Sequence, residues 1–157
     1  MRVMVTGREG QLARSLVEKA VSYPELELLP TGRPEVDLEQ PGGVSRAIWA
    51  ASPDLVINAA AYTAVDQAEA EPERAFRINA DAAGEAAAAA REVGAKIIQI
   101  STDYVFPGTG DRAWRPDDSV APLGVYGASK LAGEEQVRAA NPDHLIVRTA
   151  WVFSPFS

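Results

Sequence analysis

Short apolar runs alternate with helical patterns along the whole chain, and this alternation limits the folds that are open to it. The first run, Arg2–Thr6, ends at Gly7, which suits a buried parallel strand that enters a tight turn. Leu12, Leu16 and Ala20 then recur at helical spacing. We therefore predict an α/β fold, in which helices cover both faces of a doubly wound parallel sheet. The predicted strands are residues 2–6, 26–31, 54–58, 96–101 and 144–149, and the main predicted helices are residues 11–21, 41–51, 72–93 and 126–140.

The composition narrows the classes of function. At 157 residues the chain is long enough for one globular domain, residues 1–157. It has no cysteine, so a disulfide framework and a thiolate nucleophile are excluded, and a reducing cytoplasm is the expected compartment. Its lone histidine, His144, cannot build a metal site. A net charge of −7 repels a nucleic-acid backbone, and the apolar run at residues 3–5 is too short to span a membrane, so we expect a soluble protein that binds neither.

The turn after the first predicted strand carries two glycines three residues apart. Gly7 permits a sharp turn, Gly10 lets the backbone approach a pyrophosphate, and Ala13 allows the helix to pack closely on the sheet. The backbone amides at the start of the helix then face the phosphates. Such a spacing also occurs in purely structural turns, but its position after the first strand favours a dinucleotide site.

Further segments fit the rest of a dinucleotide. Arg33 follows the second predicted strand, where an arginine can hold the 2′-phosphate of NADP with Arg8 as a second cation; the alternative is an exposed loop arginine. Asp37 can bind the adenine amine, although a surface turn residue fits equally well. The small residues 59–61 either leave room for a flat ring at the end of the third strand or pack a helix against the sheet.

A tyrosine and a lysine four residues apart lie at the start of the last predicted helix. This spacing puts Tyr126 and Lys130 on one helix face, and Thr102 closes the strand before it. We expect the ammonium to lower the pKa of the phenol below ~10, so that Tyr126 can protonate a ketone oxygen that Thr102 also binds. The alternative is a solvated helix face. Asn79 is expected to be an ordinary polar helix residue rather than a brace near Lys130.

The order of these motifs resembles the extended short-chain dehydrogenase/reductase family, and within it the dTDP-4-dehydrorhamnose reductases. The resemblance implies a Rossmann-like cofactor domain that lacks the C-terminal substrate region of full members. On that expectation the chain is either a fragment or a naturally shortened homologue. The matching strings are M-V-T-G-R-E-G-Q-L, I-N-A-A-A-Y-T-A-V-D-Q-A-E, I-N-A, I-S-T-D-Y-V-F-P-G-T-G, V-Y-G-A-S-K-L-A-G-E and R-T-A-W-V-F.

The motifs and the resemblance together give a set of candidate site residues. The implied catalytic triad is Thr102, Tyr126 and Lys130, and no metal ligand is expected. The candidate cofactor contacts are Gly7, Arg8, Gly10, Gln11, Leu12, Arg33, Asp37, Leu38, Ala59, Ala60, Ala61, Tyr62, Thr63, Tyr126 and Lys130. The candidate substrate contacts are Val65, Thr102, Asp103, Tyr104 and Trp151.

The reaction that the resemblance implies is reduction of the 4-keto group of a nucleotide sugar, dTDP-4-dehydro-6-deoxy-L-mannose, to dTDP-L-rhamnose. The cofactor would be NADP(H), with NAD(H) as a second candidate. Tyr104 stands where similar dehydratases carry an acid, which favours reduction over dehydration. Two alternatives stay open: a non-catalytic NADP-binding regulatory protein, as in the beta subunit of methionine adenosyltransferase, and a nucleotide-sugar epimerase. Family analogy offers helices 72–93 and 126–140 as faces for a homodimer.

Overall fold

A computed structural model describes residues 1–156 as a five-stranded, all-parallel sheet in the order β2-β1-β3-β4-β5. The direction of winding reverses between β1 and β3, which opens a crevice at the carboxyl ends of these two strands. The predicted parallel α/β fold is confirmed. The strands are β1 (Arg2–Thr6), β2 (Glu27–Thr31), β3 (Leu55–Asn58), β4 (Lys96–Thr102) and β5 (His144–Thr149).

The helices follow the predicted pattern with three differences. The second helix begins two residues late, because Gly42 precedes it in the left-handed region at φ +71°. The predicted helix 72–93 is interrupted by a π-helical turn, and residues 65–70 form a helix that the acidic sequence did not reveal. The helices are α1 (Gln11–Ala20), α2 (Gly43–Ala51), α3 (Val65–Ala70), α4 (Pro72–Phe76), α5 (Ala82–Glu92) and α6 (Val125–Ala140), with the π-turn at Arg77–Asp81 and a 3₁₀ turn at Asp103–Val105.

Helices cover both faces of the sheet. On one face α2, α5 and α6 share a core with the strands, and the alanine-rich α5 packs there through fully buried residues such as Ala86 and Ala90. On the other face Ala13 of α1 packs against Val3 and Val5. Trp49 of α2 lies largely outside this core: 49% of the residue is exposed, because Val44 and Ile48 occupy the side of α2 that faces the core.

None of the helices in residues 1–156 combines the length and the apolar character that crossing a membrane requires.

Candidate active site

The glycine turn after β1 brings the ends of three strands together. The amide of Gly7 donates to the Thr31 carbonyl of β2 at 2.9 Å. A Cβ on Gly7 would lie 3.1 Å from the backbone of Ala60, and the residue has φ +85°, so both space and conformation require glycine. A Cβ on Gly10 would lie 3.1 Å from the Gly7 carbonyl oxygen. The turn therefore leaves room for a ligand to approach the backbone at the start of α1.

Two adjoining cavities form one groove along the carboxyl edge of the sheet. Their volumes are about 510 Å³ and about 320 Å³, and they share Gly7, Ala61 and Thr63 as lining residues. Of the candidate site residues, the larger cavity is lined by Gly7, Gly10, Gln11, Leu12, Ala59, Ala61, Thr63, Val65, Thr102, Asp103, Tyr104, Tyr126, Lys130 and Trp151. The smaller cavity is lined by Gly7, Arg33, Asp37, Leu38, Ala60, Ala61, Tyr62 and Thr63.

Arg8 is the one candidate residue that lines neither half of the groove. Its guanidinium lies against Glu9 and Glu35 and donates to the carbonyl oxygen of Arg33 at 2.5 Å. The sequence places Arg8 beside the glycine turn and next to Glu9, but it does not reveal the contact with Glu35.

Lys130 is buried beside the carboxyl end of β4. Only 4% of the residue is exposed, and its Nζ donates to the carbonyl oxygen of Ile100 at 2.7 Å. Burial lowers the pKa of Lys130 to about 8, while the nearby carboxylate of Glu134 acts in the opposite direction. At neutral pH the ammonium form still predominates, so the side chain brings a positive charge to the wall of the larger cavity.

The expectation that Lys130 lowers the pKa of Tyr126 is wrong for this arrangement. Burial raises the pKa of the phenol above its ordinary value, and the carboxylate of Asp103 adds to the increase, while the Thr102 hydroxyl lowers it. The ammonium of Lys130 instead bonds to the Ile100 carbonyl. The phenol of Tyr126 therefore keeps its proton at neutral pH.

Thr102 and Tyr104 flank the phenol. Thr102 is 6% exposed; its hydroxyl donates to Asp103 Oδ1 at 3.2 Å and accepts from the amide of Tyr104 at 3.2 Å. The Tyr104 ring meets the ring of Tyr126 edge to face, with centroids 5.5 Å apart. This geometry puts a protonated phenol, a second hydroxyl and an ammonium on the wall of one cavity.

Asn79 is a brace rather than an ordinary polar helix residue. It is 2% exposed in the π-turn; its Oδ1 accepts from the amide of Tyr62 at 2.8 Å. Its Nδ2 donates to the Tyr62 carbonyl at 3.1 Å and to Ser129 Oγ at 2.9 Å. Ser129 in turn donates to the carbonyl of Tyr126 at 2.8 Å. Asn79 therefore joins the loop after β3 to the first turn of α6.

A buried chain of polar side chains crosses the sheet below the groove, and no motif in the sequence indicates it. The Thr6 hydroxyl donates to Asn58 Oδ1 at 2.6 Å, and Asn58 Nδ2 donates to Gln99 Oε1 at 2.7 Å. Gln99 Nε2 then donates at 3.0 Å to the Ile100 carbonyl, the oxygen that also accepts from Lys130. The only signal in the sequence is a polar residue near the end of each of three apolar strands.

The groove fits a dinucleotide on two further observations. Within residues 1–156, the buried Oε1 of Gln11 has no hydrogen-bond partner, although it lies on the wall of the larger cavity. At the other end Arg33 is exposed and has no ion-pair partner in the described part of the chain. A polar acceptor and a cation are thus available at opposite ends of the groove. Residues 1–156 contain no group of three or more His, Cys, Asp or Glu side chains that could hold a metal ion.

The family is decided by a match that covers almost the whole chain. The family described as RmlD substrate binding domain matches residues 1–156. The chain belongs to this family. The match confirms the resemblance that the motifs indicated.

Individual proteins are similar to the chain over the same region. The chain is 46% identical over 156 residues to the dTDP-4-dehydrorhamnose reductase of Sinorhizobium fredii, covering 99% of this chain and 52% of that protein. Among solved structures, the dTDP-4-dehydrorhamnose reductase of Clostridium acetobutylicum superposes with a TM-score of 0.94 at 41% identity, over 99% of this chain and 55% of that one. The dTDP-4-dehydrorhamnose reductase of Bacillus anthracis, crystallised in complex with NADP, superposes with a TM-score of 0.91 at 40% identity. The superposition covers 97% of this chain and 54% of that chain. The chain spans about half the length of these relatives.

Proposed function

We propose that the protein is the cofactor-binding part of an NADP(H)-dependent reductase. The observation that carries the proposal is that Thr102, Tyr126 and Lys130 line the same cavity as the glycine turn. The reaction would be reduction of the 4-keto group of dTDP-4-dehydro-6-deoxy-L-mannose to dTDP-L-rhamnose. The names of the RmlD-family relatives and the NADP complex of the Bacillus anthracis enzyme support this assignment.

The groove would hold the cofactor along its length. Gly7 and Gly10 would admit the pyrophosphate to the start of α1, and Arg33 would bind the 2′-phosphate of NADP(H). Asp37, Leu38 and the residues of the loop after β3 would enclose the adenosine, with NAD(H) as a second cofactor. When bound, the nicotinamide supplies the hydride that reduces the keto carbon.

The chain's own residues would manage the proton and the charge. Tyr126 would give its proton to the oxygen of the keto group, and its raised pKa keeps that proton available at neutral pH. Thr102 would donate a hydrogen bond to the same oxygen and orient it. Lys130 would stabilise the negative charge that develops there, because its ammonium form predominates below a pKa of about 8.

The sugar would lie on the outer side of the larger cavity. Val65, Asp103, Tyr104 and Trp151 line this cavity, and Trp151 is 96% exposed. Tyr104 supplies a phenol where dehydration would require a carboxylate base, so the arrangement favours reduction. A reductase that draws on NADPH is expected in the cytoplasm. The homodimer through the predicted helices 72–93 and 126–140 stays a prediction.

The first experiment is a fluorescence titration of the 157-residue chain with NADPH and with NADH. We expect saturable binding of NADPH, and Tyr126→Phe should leave its dissociation constant nearly unchanged. Failure of the chain to bind either dinucleotide would contradict the cofactor assignment. Glu135→Gln, an exposed change on the outer face of α6, serves as the matched control.

The second experiment measures turnover of the nucleotide sugar by the chain and by any longer product of its reading frame. Tyr126→Phe should lower kcat by about 100-fold or more, because it removes the general acid. An unchanged kcat would remove Tyr126 from the mechanism. NADPH binding without turnover in every form would favour the regulatory alternative, and a tightly retained cofactor with no need for external reductant would favour the epimerase.

A further inference from the structure

Arg8 is held beside the end of β2 by partners on three sides. The amides of Gly7 and Arg8 both donate to the Thr31 carbonyl, at 2.9 and 3.1 Å, which fixes the Arg8 backbone next to that strand. Nη1 of Arg8 lies 3.2 Å from Glu35 Oε2, and Nε lies 3.3 Å from Glu9 Oε1. Nη2 donates to the Arg33 carbonyl. Every nitrogen of the Arg8 guanidinium therefore already has a partner from the protein.

The charges around the end of β2 balance one another. Arg8 and Arg33 contribute two positive charges, and Glu9 and Glu35 contribute two negative ones within a few residues. A phosphate monoester carries between one and two negative charges at neutral pH, so these carboxylates repel it and compete with it for Arg8. A ribose 2′-hydroxyl is neutral and can donate a hydrogen bond to a carboxylate. The two cofactors are therefore affected differently by the same glutamate.

We propose that Glu35 sets the preference of this site between NADP(H) and NAD(H) by competing with the 2′-phosphate for Arg8. The inference rests on the proposed function, because it requires a dinucleotide in the groove. Because Glu35 lies 3.2 Å from Nη1 of Arg8, Arg33 is the arginine at this end that has no carboxylate partner within residues 1–156. Removing the carboxylate frees Nη1 of Arg8 for the 2′-phosphate and removes a repulsive charge, whereas NAD(H) gains neither benefit.

The test compares the dissociation constants of NADPH and NADH for the wild-type chain, Glu35→Gln, Arg8→Gln and the double variant. Glu35→Gln should tighten NADPH binding about two- to five-fold, the range of an exposed ion pair, and should not tighten NADH binding. The gain should shrink at high salt because the groups are solvent-exposed. Glu135→Gln removes a negative charge far from β2 and should leave the NADPH-to-NADH ratio unchanged.

The double variant assigns the effect to Arg8. In the Arg8→Gln background, Glu35→Gln should no longer lower the ratio of the NADPH dissociation constant to the NADH dissociation constant. The reason is that the competition for Arg8, which the substitution relieves, is already absent. A gain that persists in that background, or a Glu35→Gln variant whose ratio equals that of the wild type, overturns the inference. In those cases NADPH binding by the wild type still upholds the cofactor assignment. A wild-type chain that binds neither dinucleotide would overturn both proposals.

Discussion

The fully buried carboxylate of Glu134 holds the guanidinium of Arg148 through two hydrogen bonds, of 2.8 and 2.7 Å. The pair joins α6 to β5, and Arg138 adds a third bond to Glu134 at 3.0 Å. Burial acts to raise the pKa of Glu134, but the hydrogen bonds from Arg148 and its neighbours outweigh it, so the pKa is lowered overall. Glu134 lies on the face of α6 that carries Tyr126 and Lys130, and the pair therefore fixes that face against the sheet.

Glu134→Gln should lower the free energy of unfolding by about 3–5 kcal/mol, because it leaves the largely buried guanidinium of Arg148 without its counter-charge. Urea unfolding followed by circular dichroism measures the change. The neighbouring Glu135 is exposed, and Glu135→Gln should change the free energy by less than about 0.5 kcal/mol. Equal stability of the two variants would show that the pair does not support the fold.

The same pair predicts a difference in acid stability between the wild type and Glu134→Gln. Because the folded pKa of Glu134 is lowered, its contribution is complete above the unfolded pKa of 4.5 and is lost as the pH falls through the folded pKa. The stability advantage of the wild type over the variant should therefore shrink on acidification below that value. An advantage that stays constant from neutral pH to acid would contradict the ion-pair interpretation.

Gln99→Leu tests the polar chain that crosses the sheet. The substitution is close in volume but leaves the Nδ2 of Asn58, a residue 2% exposed, without its acceptor. A buried donor that loses its partner costs about 1–3 kcal/mol, which urea unfolding would detect. Gln136→Leu on the exposed side of α6 is the matched control and should cost much less. A Gln99→Leu protein as stable as the control would mean that the hydrogen-bonded polar side chains contribute nothing to the stability of the fold.

Lys130→Met tests the buried ammonium through the pH dependence of stability. The folded pKa of about 8 lies below the ordinary value of 10.5, so between these values the unfolded chain binds a proton that the folded chain has lost. Stability should therefore rise with pH across this window in the wild type, by up to about 1.4 kcal/mol per unit of pKa difference. Urea unfolding at pH 7.5 and pH 9.5 should show the rise in the wild type and not in Lys130→Met. An equal pH response in both proteins would contradict the burial of the charge.

The fold and most members of the groove could be predicted from the sequence because both depend on local patterns. An apolar run such as Arg2–Thr6 identifies a strand, and parallel strands deliver the residues that follow them to one edge of the sheet. Gly7, Thr102 and Tyr126 therefore meet at the groove as their positions indicated. The helix Val65–Ala70 was missed because a short acidic segment carries little apolar periodicity.

The direction in which the pKa of Tyr126 shifts could not be predicted, because spacing on a helix indicates which residues are near but not how deeply each is buried. Lys130 and Tyr126 share a face of α6, yet the ammonium of Lys130 donates its hydrogen bond to the Ile100 carbonyl. Burial is then the largest influence on the phenol of Tyr126 and raises its pKa. The partners of Arg8 were equally hidden, since a sequence shows no distance between its guanidinium and Glu35.

Local patterns in the sequence are enough to predict the strands, the main helices and most of the side chains at the carboxyl edge of the sheet, because periodicity and glycine turns act over a few residues. The folded protein is needed to see which side chains are buried, charged or paired, as with Asn58 and Gln99 or Glu134 and Arg148. The physical reason is that desolvation and hydrogen bonding depend on neighbours brought together by packing, which lie far apart along the chain.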